Sequence, residues 1–148
     1  MSLYINLIQN IVNFSDLKTQ IKLCSLCQEN YYFLKIFILD TSYYSNITQE
    51  IIEQNKFNKL RELNILNNIK IYNINFLKFT LEKLDASGEK CRITQKGIQQ
   101  LIKLKYLNVS DNKNIKSINF VKDIEELNAS IYECGITQEE IEQLTKLK

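Results

Sequence analysis

The stretch LEKLDASGEKCRITQKGIQQLIKLKYLNVSDN, residues 81–112, decides the fold, because much of it returns as IEELNASIYECGITQEEIEQLTKLK, residues 124–148. Within it, CRITQKGIQQLIKL (residues 91–104) aligns with CGITQEEIEQLTKL (residues 134–147), 43 residues further on. Cysteine, Ile-Thr-Gln, a second isoleucine, Gln-Leu and Lys-Leu recur at matching positions. An internal repeat of this kind predicts a fold made of stacked copies of one supersecondary unit.

A shorter signature, Leu-x-x-Leu-x-apolar, occurs four times. Its copies begin 21, 23 and 20 residues apart, which lies within the range of about 20–29 residues for leucine-rich repeats. Each copy predicts one short parallel strand followed by a return segment, and we call this pair a coil. The four copies are Leu60/Leu63/Ile65, Leu81/Leu84/Ala86, Leu104/Leu107/Val109 and Ile124/Leu127/Ala129.

The return segments alternate in character. Residues 93–104 and 136–147 both begin with Ile-Thr-Gln, and we predict that both are helical, with a threonine N-cap and apolar residues at helical spacing. Residues 114–124 are expected to be irregular or a single turn. A third Ile-Thr-Gln copy at Ile47 predicts a helix that leads to the strand at Leu63, so the repeats are expected to begin near Ile47.

Residues 3–39 have a different pattern, in which apolar side chains recur at helical spacing. We expect one helix ending near Val12, a second opening at Ser15-Asp16, and a third, rich in aromatic residues, over Tyr31–Leu39. Three short helices cannot bury this much apolar surface among themselves. They therefore either cover the first coil or bind another chain.

The segment LYINLIQNIVNFSDLKTQIKLCSLCQENYYFL, residues 3–34, resembles an F-box. Leu3-Tyr4 stands where the family has Leu-Pro, and Ile11-Val12 stands for its Ile-Leu pair. Residues 15–34 follow the second half of the pattern, although Cys27-Gln28-Glu29 lacks the usual basic residue. An F-box followed by leucine-rich repeats is a common arrangement, and phrases such as LKYLNVSDN resemble the F-box and leucine-rich-repeat proteins that giant DNA viruses of amoebae encode.

The predicted architecture is an α/β fold in which an N-terminal helical, F-box-like module (residues 1–40) caps a short leucine-rich-repeat solenoid with a parallel sheet and about four coils (residues 41–148). The resemblance implies a substrate adaptor of a cullin ubiquitin ligase. Such a protein is expected in the cytoplasm, and a viral one in the cytoplasm of the host cell. The helices would bind a Skp-type adaptor protein, and the repeats a target. The side chains expected against the adaptor are Leu7, Ile8, Ile11, Val12 and Leu17. The alternative is that these side chains only cap the solenoid.

One face of the predicted sheet is a candidate binding surface. Side chains between the strand leucines point to the concave face, where the strands align in columns such as Glu62, Lys83, Tyr106 and Glu126. The row just before them, Arg61, Glu82, Lys105 and Glu125, alternates in sign, which favours this register. The residues expected to contact a protein partner are Asp85, Tyr106, Asn108 and Asn128, with Tyr106 as the candidate hot spot. The alternative is that these columns only solvate the sheet and stabilise it laterally.

The four cysteines predict core positions rather than chemistry. Cys91 and Cys134 lie two coils apart, about 10 Å for strands spaced at about 4.8 Å, which exceeds the roughly 7 Å between Cα atoms that a disulfide allows. We expect both to be free, buried thiols. Cys24 and Cys27 have the spacing of half a zinc site. With no histidine and no second Cys-x-x-Cys in the chain, we interpret them as core residues.

Asn68 and Asn112 fall where leucine-rich repeats place a buried asparagine that hydrogen-bonds the backbone of the turn. This role is structural. Replacing Asn112 is expected to leave backbone donors unsatisfied, at a cost of about 1–3 kcal/mol.

Composition narrows the function classes. The formal net charge of +2 gives no basic footprint for nucleic acid. No basic leader precedes an apolar run and no stretch approaches about 20 apolar residues, so we expect a soluble, intracellular protein without a membrane partner. The chain has no histidine and no glycine-rich phosphate loop, so the sequence shows no candidate residues for general acid-base or phosphate chemistry. We therefore expect neither enzymatic activity nor a cofactor.

A competing function is structural. The sequence given stops at Leu147-Lys148, where a new strand would begin. An uncovered repeat end would expose apolar side chains and a strand edge. The second prediction is therefore a self-assembling leucine-rich-repeat protein that forms homo-oligomers through this edge and has no part in ubiquitin transfer.

Overall fold

The chain folds around one parallel sheet of five strands in a computed structural model. The structure describes residues 3–13, 15–25, 34–44, 46–130 and 136–148, without the side chains of residues 3–5, 7 and 25. The strands follow one another across the sheet in chain order, each parallel to its neighbours. They are β1 (Ile38–Asp40), β2 (Glu62–Asn64), β3 (Lys83–Asp85), β4 (Tyr106–Asn108) and β5 (Glu126–Asn128). The predicted α/β class with a parallel sheet is confirmed.

The helices in the described residues fall into two groups. Two longer ones precede the sheet, α1 (Leu3–Asn13) and α2 (Leu17–Ser25). Three short ones lie in the return segments and are α3 (Gln49–Ile52), α4 (Gln95–Ile98) and α5 (Gln138–Glu142). Single turns of 3-10 helix at Asn55–Phe57 and Asn75–Leu77 also belong to return segments.

Strands β2 to β5 occupy the positions that the Leu-x-x-Leu signature predicts. In a strand, successive side chains point to opposite faces, so the middle residue of each three-residue strand points to the core. Leu39, Leu63, Leu84 and Leu107 are buried there, and Leu127 in β5 is partly buried. The first and third residues of every strand face the other way. The apolar residues of the signature are those that point to the core, so the signature locates each strand.

Strand β1 corrects the prediction of a third helix over Tyr31–Leu39. Residues 34–37 form no helix and Ile38–Asp40 is a strand paired with β2, while residues 31–33 lie outside the described part. A short apolar run does not separate strand from buried helix by period alone. Here Leu34, Ile36 and Leu39 are buried beneath the sheet. The sheet therefore has five strands rather than four and begins before Ile47, whereas the division at residue 40 stays a prediction.

The Ile-Thr-Gln helices begin as predicted but end early. Thr48, Thr94 and Thr137 are the N-cap residues of α3, α4 and α5. The last two helices stop at Ile98 and Glu142 instead of running to residues 104 and 147. After α4, the Leu101 N–H donates to the Ile98 carbonyl, and the Ile102 N–H donates to the Lys78 carbonyl of the preceding coil. These backbone groups therefore do not continue the helix. Residues 114–124 form turns and irregular structure, as predicted.

Helices α1 and α2 cover the end of the sheet at β1. Val12, Leu17 and Cys24 belong to the same buried cluster as the strand leucines. The Gln9 side chain also fixes α1 to the segment that leads into β1. Its Nε2 donates to the Lys35 carbonyl and its Oε1 accepts from the Lys35 N–H, both at 2.8 Å. The helices therefore share one core with the first coil.

The two predicted buried asparagines stabilise turns, as expected. The Asn112 side chain is fully buried, donates to the Ala86 carbonyl at 2.8 Å and accepts from the Asn114 N–H at 3.0 Å. The Asn68 oxygen accepts from the N–H groups of Lys70 and Ile71. Each asparagine thus satisfies backbone groups that the turn leaves without a partner.

Two of the four cysteines lie in the described part, and both are buried, as predicted. Burial raises the pKa of the thiols of Cys24 and Cys91 above the ordinary value, which favours the neutral form. Cys27 and Cys134 lie outside the described residues.

Candidate functional site

The uncovered side of the sheet, formed by the first and third residue of each strand, is the candidate site, and we call it the open face. A groove of about 440 Å³ runs along it from β1 to β5. Four of the five strands carry a carboxylate into this groove. The lining consists of Ile38, Leu39, Asp40, Glu62, Leu63, Asn64, Lys83, Asp85, Tyr106 and Glu126.

The strand register produces the predicted columns. The first residues of the strands align as Ile38, Glu62, Lys83, Tyr106 and Glu126. The third residues align as Asp40, Asn64, Asp85, Asn108 and Asn128. Strand β1 adds Ile38 to the first column and Asp40 to the second.

The third residue of each strand forms a turn that follows the strand. In every strand, the side-chain Oδ1 accepts a hydrogen bond from the N–H two residues further along. The donors are Ser42 at 2.8 Å, Leu66 at 2.9 Å, Ser87 at 3.0 Å, Ser110 at 3.1 Å and Ser130 at 3.3 Å. This Asx-turn geometry gives the chain a local alternative to continued pairing. The small polar residues thus have a structural role at each strand end.

Four members of this column also form two hydrogen-bonded pairs across the sheet. Asn64 Nδ2 donates to Asp40 Oδ2 at 3.2 Å, and Asn108 Nδ2 donates to Asp85 Oδ2 at 2.9 Å. Asp85 therefore lines the groove with a carboxylate held in place by Asn108. Asn108 is occupied by this contact and its own turn, and Asn128 is exposed at the outermost strand. A contact of these three residues with a partner stays a prediction.

Tyr106 lines the groove from β4, the fourth of the five strands. Burial raises the pKa of its phenol, and the negative charges of Asp85 and Glu126 raise it further. The phenol is therefore protonated at neutral pH and available as a hydrogen-bond donor. The predicted hot-spot residue thus lies between Lys83 and Glu126 in its column, and its ring is partly exposed.

The groove is acidic although the chain as a whole has a formal charge of +2. Asp40, Glu62, Asp85 and Glu126 face a single basic residue, Lys83, in the groove lining. Lys83 Nζ lies 3.1 Å from Glu62 Oε1. The groove therefore carries a surplus of negative charge.

The row of residues just before the strands is balanced, as predicted. Arg61, Glu82, Lys105 and Glu125 occupy neighbouring positions in this row because their strands are in register. Lys148 continues the alternation, since its Nζ pairs with Glu125 and its N–H donates to the Glu125 carbonyl at 3.0 Å. This row adds no net negative charge to the groove.

The residues predicted to contact an adaptor do not form one exposed surface. Ile11 is 50% exposed, whereas Val12 and Leu17 are buried against the chain's own core. Ile8 is partly buried against that core, and the Leu7 side chain is outside the description. Of the four side chains that are described, Ile11 is the one that a partner reaches most readily. The burial of Val12 and Leu17 fits the alternative in which they cap the first coil.

Three residues of the groove lining, Ile38, Leu39 and Asp40, were not predicted, because they lie in β1. A signal for them exists in the sequence. Asp40-Thr41-Ser42 follows the pattern of Asp85-Ala86-Ser87, and Ile36-x-x-Leu39-x-Thr41 follows the strand signature with threonine in the apolar place. Thr41 is buried, and its hydroxyl accepts from Asn68 Nδ2 at 3.1 Å. A threonine with such a partner can occupy a core position.

Other site classes find no counterpart within the described ranges. No group of three or more histidine, cysteine, aspartate or glutamate residues there could hold a metal ion. No helix among them has the length and apolarity needed to cross a membrane. Comparisons with protein-family models, curated proteins and solved structures yield no match for this chain. Its function must therefore be inferred from its own residues and their arrangement.

Proposed function

We propose that this chain is a protein-interaction module of the leucine-rich-repeat kind, whose solenoid holds a protein partner against the open face. One observation carries the proposal. Five parallel strands present an acidic groove of about 440 Å³ that no other segment of the described chain covers. In a solenoid with a strand on one side and a return segment on the other, this face is the concave one and suits a protein ligand.

The repeating backbone supports the solenoid part of the proposal. Strands β2 to β5 recur at the spacing of the Leu-x-x-Leu signature. The turns after β2, β3 and β4 have a residue with positive φ at the same place, namely Asn67 (54°), Gly88 (93°) and Asp111 (58°). Asparagine, glycine and aspartate are the residues that adopt this conformation most readily. Equivalent coils therefore repeat the same turn.

The resemblance to an F-box makes a substrate adaptor of a cullin ubiquitin ligase the leading form of this proposal. In it, α1 and α2 bind a Skp-type adaptor while the open face holds the target. In this role, Ile11 is the predicted contact that an adaptor can reach, because its side chain is 50% exposed on α1. The competing form is that α1 and α2 only cap the sheet.

The experiment is a pull-down of the purified chain with a purified Skp-type adaptor. We expect Ile11→Asp to abolish capture, because a charge replaces the exposed apolar contact. The matched control is Ile102→Asp, which changes an isoleucine of similar exposure (56%) in the return segment between β3 and β4. Absence of capture of the wild-type chain, with intact folding by circular dichroism, would contradict the adaptor role and leave α1 and α2 as a cap.

A second candidate function, self-assembly, is favoured by a specific observation. The apolar side chains of the last return segment, Ile136, Ile141, Leu144 and Leu147, are only partly buried. A second copy that packs on them would bury this surface. The expected result is a mass that rises with concentration in light scattering and that falls to the monomer mass in Leu144→Glu. A monomer at all concentrations would contradict self-assembly.

A further inference from the structure

We propose that the open face recognises an extended, positively charged segment of a partner protein, one that carries several arginine or lysine residues. This inference deepens the proposed function, on which it rests, by naming the chemistry of the partner. It follows from the charge of the groove, the spacing of its carboxylates and the apolar surface between them.

The first support is unbalanced charge. Within the part of the chain that the structure describes, Glu62 is the groove carboxylate with a basic side chain within 4 Å, namely Lys83. Asp40, Asp85 and Glu126 form no such ion pair with any described residue. A groove lined by one sign of charge attracts and orients ligands of the opposite sign.

The second support is spacing. Asp40 and Asp85 lie two strands apart, as do Asp85 and Glu126. Strands about 4.8 Å apart place such residues about 10 Å from each other across the sheet. An extended segment in polyproline II conformation repeats every three residues, with a rise of about 3.1 Å per residue. Basic residues three positions apart would therefore meet successive carboxylates.

The third support is apolar surface beside the carboxylates. Ile38 is 61% exposed at one end of the groove, and the Tyr106 ring lies further along it. Arginine and lysine bring long hydrocarbon stems that pack on apolar surface while their charged ends reach carboxylates. Arginine also stacks on aromatic rings. Acidic and aromatic side chains together thus suit a basic segment better than a metal ion or a neutral peptide.

The test uses the full chain and a fluorescent peptide of about ten residues with arginine at every third position, separated by alanine and serine. A twin peptide has glutamine in place of arginine. Fluorescence anisotropy measures both. We expect the arginine peptide to bind, the glutamine peptide not to bind, and affinity to fall as salt rises from about 0.05 to about 0.5 M.

The decisive variant neutralises the groove with Asp40→Asn, Glu62→Gln, Asp85→Asn and Glu126→Gln. Asparagine already occupies the third position of β2, β4 and β5, so the two aspartate changes keep the Asx turns. The control variant, Glu50→Gln, Glu89→Gln, Asp111→Asn and Glu139→Gln, removes the same charge from exposed positions outside the groove. We expect the first variant to lose affinity about tenfold or more and the second to keep it.

Equal losses in the two variants would show attraction to overall charge and would overturn the proposal, as would equal binding of the two peptides. Failure of the wild-type chain to bind the arginine peptide would also overturn it. Capture by a Skp-type adaptor depends on Ile11 and is unaffected by these outcomes. Failure of this inference is therefore distinguishable from failure of the proposed adaptor role.

Discussion

The two copies of the internal repeat have nearly the same apolar residues and very different burial. In the first copy, residues 91–104, the apolar side chains Ile93, Ile98, Leu101 and Leu104 are at most 1% exposed. Their counterparts in the second copy, Ile136, Ile141, Leu144 and Leu147, are only partly buried. The first copy is packed between two neighbouring coils, whereas the described chain packs the second on one side. The comparison shows that the motif selects which side chains face inward and that neighbouring coils determine how completely they are buried.

The glutamine of each Ile-Thr-Gln motif shows the same difference. Gln49 Oε1 accepts from the N–H groups of Tyr72 and Asn73, one coil further on. Gln95 Oε1 likewise accepts from the N–H groups of residues 116 and 117. Gln138 instead donates to Glu142 on its own helix, at 3.2 Å. The residue thus links adjacent coils where a following coil is present.

The N-terminal cap of the helix is complete in the partly exposed second copy and incomplete in the buried first copy. Thr137 and Glu140 form a complete capping box on α5. Thr94 makes no side-chain cap on α4, where the third helical position is Gly97. A Cβ on Gly97 would lie 2.2 Å from the Tyr72 carbonyl oxygen. The enclosed copy therefore has close packing in place of the local cap that the exposed copy uses.

The largest effect that tests this comparison is the loss of a buried leucine. Leu101→Ala is expected to lower the free energy of unfolding by about 2–5 kcal/mol, because it leaves a cavity in the core. The matched change Leu144→Ala should cost less than half as much, since that side chain is partly exposed. Guanidinium unfolding followed by circular dichroism measures both. Similar losses would show that the second copy is as enclosed as the first.

The Gly97→Ala change tests whether helix propensity or close packing has the larger effect on stability in α4. Helix propensity alone favours alanine over glycine by about 1 kcal/mol. The contact with the Tyr72 carbonyl opposes it, and a backbone oxygen cannot rotate away as a side chain can. We expect a net destabilisation of about 1–3 kcal/mol, typical of overpacking. A rise in the thermal midpoint would contradict the close approach.

Removing the capping box should affect the second copy alone. Glu140→Ala is expected to cost about 1 kcal/mol, because the Thr137 N–H loses its acceptor. Glu140 also accepts from the Ser117 hydroxyl, so Ser117→Ala separates the two contributions. Glu140→Gln is the conservative control, since glutamine also completes a capping box. Hydrogen exchange of the first turn of α5 measures the change, and equal protection in all variants would contradict the role.

The smallest effect concerns two exposed ion pairs at the second copy, Asp123 with Lys146 at 2.7 Å and Glu125 with Lys148. The lysine partners lower the pKa of the two carboxyls, and the carboxyls raise the pKa of both lysines. Stability from the carboxyl shifts is present above the ordinary pKa values and is lost as the pH falls through the lowered ones. Stability from the lysine shifts is lost as the pH rises through the raised ones.

Hydrogen exchange of residues 141–148, corrected for intrinsic rates, provides the measurement. Compared with a Lys146→Met, Lys148→Met variant, the wild-type chain should show slightly greater protection from about pH 5 to about pH 10. The difference should vanish in acid and shrink in high salt. A difference that persists at pH values well below the ordinary carboxyl pKa would exclude these pairs as its source.

Several features followed from the sequence by itself. Strands β2 to β5, their register, the first residues of α4 and α5 and the roles of Asn68 and Asn112 were predictable. Each depends on a local relation, such as a two-residue period, a threonine cap or a side chain that bonds its own turn. These relations involve residues that are close in the sequence, and they recur wherever the motif recurs.

Other features were decided by the tertiary structure. Strand β1 was missed because a threonine, Thr41, stands in the apolar place of its signature. The partner that allows Thr41 to be buried, Asn68, belongs to the next coil. Val12 and Leu17 are buried because α1 and α2 pack on the first coil, and the acidic groove exists because five strands bring distant carboxylates together. The two copies of the repeat differ for the same reason. A sequence motif specifies which side chains are apolar and face the core. Contacts with segments far along the chain determine how completely those side chains are buried.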